Sequence, residues 1–213
     1  VFTPPTGSRR ATARQPSING PVRVATALVC TVGPCAQENH MQSSAATRPN
    51  SDLLTSLLTH DAGDEAEARG LAEIIEFIRI DPRPFARSSD DRPPDRQGHL
   101  TGSAIIVSAD GEEVVLLHHA KLDRWLQPGG HGEPGERLGE QVALREAREE
   151  TGTNGLSLHP EAPQPPAVDV HDIPARADEE AHRHLDLKYL LVAPAGARLK
   201  TDPRESLAVE WFT

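Results

Sequence analysis

Three glutamates, Glu146, Glu149 and Glu150, stand at positions i, i+3 and i+4. On a helix this spacing stacks three carboxylates on one face over successive turns. Like charges so placed repel, and the arrangement is unfavourable unless a cation offsets it. Hard oxygen donors without thiolates suit Mg²⁺, with Mn²⁺ as a substitute. Mg²⁺ characteristically shares a few carboxylates with substrate phosphate oxygens. Leu144, Ala147 and Thr151 occupy the other side of the same helix and can pack on a sheet. The plain alternative is a solvated acidic face with Arg145 and Arg148 pairing locally, which is the commoner meaning of a glutamate-rich helix taken alone.

A second polar run is His182-Arg183-His184-Leu185-Asp186. In a strand, residues 182, 184 and 186 share one face, so two imidazoles and a carboxylate can converge on a metal or on substrate phosphate. A polar cleft lining opposite Leu185, Leu187 and Tyr189 explains the same pattern, and phosphate contact is favoured over a dedicated metal site. His171 and Arg176 fall in a loop just upstream, within reach of the same phosphate. Trp125 has the flat face needed to stack a base, although a single Trp before a turn more often packs. His118-His119 reads as a surface turn.

These residues need elements to hold them. Residues 103–108 and 113–118 are apolar runs flanking Ala109-Asp110-Gly111, a strong hairpin signal. Trp125-Leu126-Gln127-Pro128 leads into a glycine-rich turn. A helix follows over about 138–151, closed by Gly152 as a left-handed cap. Residues 154–168, with four prolines, read as a loop. Strands follow at about 184–193 and 207–212. Short strands around one central helix predict an α+β fold. Upstream, Ser51 or Asp52 caps one helix, and Leu71, Ile74, Ile75 and Ile78 form the apolar stripe of a second. That helix ends at Asp81-Pro82-Arg83-Pro84. Residues 86–98 are a polar linker, so 41–98 form an N-terminal helical appendage.

The neighbourhood of the glutamates decides their reading. Gly129-Gly130-His131-Gly132-Glu133-Pro134-Gly135-Glu136, followed by Arg145-Glu146-Ala147-Arg148-Glu149-Glu150-Thr151-Gly152-Thr153, resembles the Nudix box, G-x5-E-x7-R-E-U-x-E-E-x-G-U. Alanine stands at the first apolar position of the pattern and Thr153 at the last. Eight residues rather than seven separate Glu136 from Arg145, which leaves Glu133 and Glu140 as alternatives to Glu136. The resemblance spans residues 99–213. It implies an α/β/α sandwich with a mixed sheet, in which Glu146, Glu149 and Glu150 are metal ligands and the Gly130 backbone approaches the metal. It implies that Arg145 holds a glutamate in place, and that water attacks one phosphorus of a nucleoside diphosphate linked to another group. Glu150 is the first choice of general base, with Glu179 or Glu180 as alternatives. The catalytic set implied is thus Glu136, Arg145, Glu149 and Glu150. A non-catalytic nucleotide-binding module on the same fold is the second reading. A prenyl diphosphate isomerase is remote, because that chemistry uses a cysteine and residues 99–213 have none.

Composition narrows the partners. The net charge of −10 argues against a nucleic-acid surface but not against a small phosphate-bearing substrate whose charge a metal can offset. No apolar run reaches the roughly 20 residues that cross a bilayer. A cytoplasmic setting is expected, and a homodimer is compatible with the appendage. Residues 1–40 carry four arginines against one acid and no sustained amphipathic period. Met41, the only methionine, is expected to be the natural start, with 1–40 a disordered or non-native extension; a targeting segment is the alternative. The end of the chain at Thr213 is expected to lack a C-terminal helix that covers the sheet. A chain begun at Met41 should fold and turn over substrate normally, and loss of either in a circular dichroism and activity comparison would reject this start.

Overall fold

The computed structural model describes residues 50–87, 97–176 and 180–213. Met41, both cysteines, most of the expected linker and Glu179 lie outside the described residues.

The fold is built outward from strand β1 (Gly98–Val107). It runs parallel to β7 (His182–Val192), in register from Gly98↔Arg183 to Val107↔Val192. Along its other edge β1 pairs antiparallel with β4 (Gly129–His131) and, at Val107↔Val114, with β2 (Val114–His119). The hairpin between β1 and β2 turns at Gly111, whose φ of 76° suits glycine. β2 continues the sheet through β3 (Arg124–Leu126) and β8 (Ser206–Phe212). β7 continues it through β6 (Ala167–Ile173) and β5 (Ser157–Leu158). One parallel pair among antiparallel ones makes the sheet mixed, as expected.

Several strands depart from the sequence reading: β4 takes up the start of the stretch read as a glycine-rich turn, and β5 lies inside the stretch read as a loop. β1 begins at Gly98 rather than near 103, because His99 and Thr101 occupy the face opposite Leu100 and hide the alternation. β6 falls partly inside the stretch read as a loop. Its Val168 and Val170 pair with Leu187 and Leu185, while Asp169 and His171 take the other face. His171 is therefore a strand residue, not a loop residue.

Helix α3 (Gly139–Thr151) lies on the face of β1 and β7 that carries Gly102, Leu187 and Tyr189. Gly102 makes this approach possible: a Cβ there would sit 2.6 Å from the Gly139 carbonyl oxygen and 2.9 Å from Val142 Cβ. Ala143 and Ala147 are fully buried at the same contact. The first turn is held by Gln141, whose Oε1 accepts from the Arg137 and Leu138 N–H groups at 3.1 and 3.3 Å. Gly152, at φ 64°, ends the helix as the sequence suggests.

The upstream helices are α1 (Ser51–Leu58) and α2 (Glu65–Ile80). Neither Ser51 nor Asp52 caps α1. Both fall inside its first turn, and Asn50 is the cap residue, with φ 72° and no side-chain bond. Asp64 caps α2 by accepting from the Ala66 and Glu67 N–H groups at 2.8 and 2.9 Å. α2 packs on β6, with Gly70 against Val170, the Val168 N–H donating to Glu67 at 2.9 Å, and an ion pair between Glu73 and Arg183. Leu53, Leu57, Ile74, Phe77 and Ile78 thereby join the same core as Leu100, Leu117, Leu187 and Leu191. Each such side chain, when buried, stabilises by roughly 1.5–3 kcal/mol. The opposite face of β1 and β7 is polar, carrying His99, Thr101 and Ser103 beside His184, Asp186 and Lys188.

Gly102→Ala is expected to lower stability by about 1–3 kcal/mol, since helix α3 or strand β1 must move to admit the methyl group. Urea denaturation would measure it, and an unchanged midpoint would show that α3 does not approach as closely as the structure places it.

Candidate active site

Three pieces of backbone meet at the catalytic end: the β4 glycines, the turn that follows them, and the acidic face of α3. Gly129 donates its N–H to Glu150 Oε2 at 2.8 Å. A side chain at Gly130 would occupy the place of the Glu146 carboxylate. Both glycines are therefore required by space, Gly130 because the Glu146 carboxylate lies directly against its backbone and Gly129 because a side chain there would run into Ser103 of β1.

Arg145 organises the turn. Its Nε and Nη2 hold Glu136 at 3.0 and 3.1 Å, a two-pronged bond, and Nη2 also donates to the His131 carbonyl oxygen at 2.6 Å. Its Nη1 lies 3.0 Å from Glu146 and 3.1 Å from Glu149. Glu133 is farther away, at 3.9 Å. Glu140 does not pair here, and burial raises its pKa. The eighth spacer residue is absorbed by Arg137 and Leu138 ahead of α3, which leaves Glu136 opposite Arg145. Burial works against the Glu136 carboxylate, but the hydrogen bonds from Arg145 and the Glu133 N–H hold it below its ordinary value.

The three helix glutamates differ in environment. Glu149 is exposed at the rim. Burial pushes Glu146 up, with Arg145 opposing and Glu149 and Glu205 adding repulsion. Glu150 is only 7% exposed. Burial pushes it up to about 8 despite the Gly129 N–H, and the charges of Glu146, Glu205 and Glu149 add to the shift. Glu205 was not legible as a site residue. It lies more than fifty residues beyond the box, and only the return of β8 beside β2 brings its charge to α3.

The donor set fits a hard divalent cation. It is made of carboxylate oxygens, it is crowded with negative charge, and its most buried member is strongly disfavoured as an anion. Glu146, Glu149 and Glu150, with the Gly130 backbone beside them, are the residues that would hold Mg²⁺ or Mn²⁺.

The residues considered for substrate contact separate into groups. His182 and His184 meet each other, with Nε2 atoms 3.2 Å apart. They also meet His131 and His99, which the sequence reading did not select. His171 packs its ring on His184 and bonds Asp169 at 3.0 Å. Asp186 does not join the histidines as a third donor; it accepts from Thr101 at 2.8 Å and from Ser103. Trp125 stacks on His118 and meets Phe212 edge-on, which joins β2, β3 and β8, and its ring remains partly exposed. Arg176 lies in the segment after β6, and Glu180 offers its backbone carbonyl to His182. A cavity of about 870 Å³ opens between residues 50–53, 82–87 and 132–138, lined by Arg83, Arg87 and Arg137 among others.

A raised carboxyl pKa means that the folded chain binds that proton more tightly than the unfolded chain does. The contribution from Glu150 is fully present below the unfolded value of 4.5 and is lost as pH rises toward about 8. In chelator-treated protein the melting temperature should therefore fall between pH 5 and pH 8. Glu150→Gln should flatten that slope, and an identical slope in wild type and variant would remove Glu150 as its source.

Comparison with known proteins agrees with this geometry. The NUDIX domain family model matches residues 98–213, from the first residue of β1 onward. Among solved structures, a NUDIX-family hydrolase from Clostridium perfringens is 26% identical, with 54% of this chain and 81% of that chain covered and a TM-score of 0.42. A MutT NUDIX hydrolase from Burkholderia pseudomallei is 25% identical, with 55% and 84% covered and a TM-score of 0.40. A bifunctional NMN adenylyltransferase/ADP ribose pyrophosphatase from Francisella tularensis, complexed with AMP and a Mn ion, is 21% identical, with 67% and 39% covered and a TM-score of 0.39. The family match covers more than half of the sequence, and the box residues meet around Arg145 and the β4 glycines: the chain belongs to the Nudix family and is a pyrophosphohydrolase of that family.

Proposed function

We propose that the protein is a Mg²⁺-dependent hydrolase of a small nucleoside diphosphate joined to another group, cleaving the phosphoanhydride bond by attack of water. The observation that carries this reading is the placement of Glu150 and Glu146 against the Gly129-Gly130 backbone, with Glu149 drawn to Glu146 through Arg145. A buried carboxylate gains more from a neighbouring divalent cation than an exposed one does. When bound, the cation would neutralise charge on the diphosphate oxygens and make water more acidic.

The chain's own residues do the positioning. Arg145 fixes Glu136 and the His131 carbonyl, which holds the β4 turn against α3. It also draws Glu149 and Glu146 together despite their like charge. Glu150 is assigned as the acceptor of the proton from the attacking water, because it is the carboxylate buried against the Gly129 N–H and a neighbouring cation would hold it ionised and able to accept. The arginine-lined cavity beside residues 132–138 is where the uncleaved part of the substrate would lie. No helix among the described residues is long and apolar enough to cross a membrane.

A panel of nucleotide sugars, dinucleoside polyphosphates and nucleoside triphosphates, assayed for nucleotide and phosphate release with and without Mg²⁺, tests the reading. Glu149→Gln and Glu150→Gln are expected to lower kcat by orders of magnitude with KM little changed; full activity in either would refute the assignment. Arg145→Lys keeps the charge but loses the two-pronged geometry. It should reduce kcat at least tenfold, and wild-type kinetics would show that the fork is not needed.

A further inference from the structure

We propose that His99, His131, His182 and His184 form a second metal site, distinct from the carboxylates, that binds one Zn²⁺-type transition-metal ion and pins β4 to β1 and β7. The sheet register builds the cluster. His99 on β1 stands beside His184 on β7 in the parallel ladder, and His182 lies two residues earlier on the same face. His131 on β4 pairs opposite Thr101, the next same-face position after His99. One ring nitrogen from each of the four lies within 4.8 Å of the others.

Several features distinguish this cluster from a chance gathering of polar rings. His99 is 1% exposed, and neither of its ring nitrogens has a hydrogen-bond partner. An orphaned buried imidazole is unfavourable unless something meets it. Its ring is surrounded by the other three, with centroids 4.9 to 5.1 Å away.

The second feature is a conflict at His184. Its Nε2 lies 3.1 Å from His131 Nε2 and 3.2 Å from His182 Nε2. A ring nitrogen carries either one proton or one lone pair, so a single Nε2 satisfies only one of these contacts by a well-directed hydrogen bond. A cation satisfies both at once. Ligands about 2.0–2.1 Å from a tetrahedral ion lie about 3.3–3.4 Å from one another, close to both distances. His182 is already set for ligation: a carbonyl can only accept, so the 2.9 Å contact with Glu180 O makes Nδ1 the donor and leaves Nε2 with its lone pair.

Four imidazoles, the ligand set found among the described residues, select a borderline ion such as Zn²⁺ or Co²⁺ over Mg²⁺. Four protein ligands also close the coordination sphere, which is the pattern of a structural site. His131 links the two centres within one residue, since its ring faces the histidines while its carbonyl oxygen accepts from Arg145. An ion among the histidines would thus hold the strand that presents Gly129 and Gly130 to Glu150 and Glu146.

The test uses the untagged full chain, stripped with chelator and re-equilibrated with Zn²⁺ in excess Mg²⁺, with bound metal counted by mass spectrometry. One tightly held Zn²⁺ per chain is expected, and Co²⁺ in its place should show the intense visible bands of tetrahedral coordination. His182→Gln and His184→Gln should weaken Zn²⁺ binding at least tenfold while circular dichroism stays native. His171→Gln, outside the ligand set, and Glu149→Gln, in the other centre, should leave the Co²⁺ spectrum unchanged. Substoichiometric zinc, an octahedral Co²⁺ spectrum, or loss of the ion in Glu149→Gln instead of His182→Gln would overturn the proposal. So would protection of the fold by inorganic phosphate but not by Zn²⁺, which would make the histidines an anion site.

Discussion

The guanidinium of Arg145 stands among Glu136, Glu146, Glu149 and the carbonyl oxygen of His131, and the geometry of the catalytic end follows from that contact. Three carboxylates within one and a half turns of helix repel one another, and a fourth charge arrives from Glu205. One permanently charged planar cation, with several donors in a fixed fork, gathers these groups without neutralising all of them. The imbalance that remains is concentrated at Glu150, which is buried against the Gly129 N–H. The site is therefore held together by Arg145 while remaining short of positive charge, a condition suited to a metal and a phosphate-bearing substrate.

Small residues make this concentration of charge geometrically possible. Gly102 lets α3 lie against β1, Gly130 lets the Glu146 carboxylate reach bare backbone, and Gly129 lets β4 lie against Ser103 of β1. Ala143 and Ala147 keep the buried stripe of the helix thin. A larger side chain at Gly102 or Gly130 would push α3 away from the strands it lies against, and one at Gly129 would part β4 from β1. The apolar side of α3 and the chemistry on its acidic side are thus set by the same close approach.

The sheet separates two kinds of chemistry. On one face, apolar residues of β1 and β7 receive α3. On the other, His99, Thr101, Ser103, His184 and Asp186 form a continuous polar strip across the parallel pair. β4 belongs to both, because Gly130 faces Glu146 while the His131 ring joins the histidines. A change on the histidine face can therefore reach the catalytic face through one short strand, without a conformational change in α3.

Local rules were enough for much of this protein. The i, i+3, i+4 spacing of the glutamates, the Asp-Gly hairpin and the Gly152 cap are all set by residues within a few positions of one another, and they were readable in the sequence for that reason. The longer reach of β1, the strand at 167–173, the engagement of Asp186 by Thr101 and Ser103, and the approach of Glu205 to α3 depend on pairing between segments far apart in the chain. The opening glutamates gain their meaning in the same way. Sequence placed Glu146, Glu149 and Glu150 on one helix face, but only tertiary structure made them unequal. Burial beneath the β4 glycines, a property of packing rather than spacing, singles out Glu150.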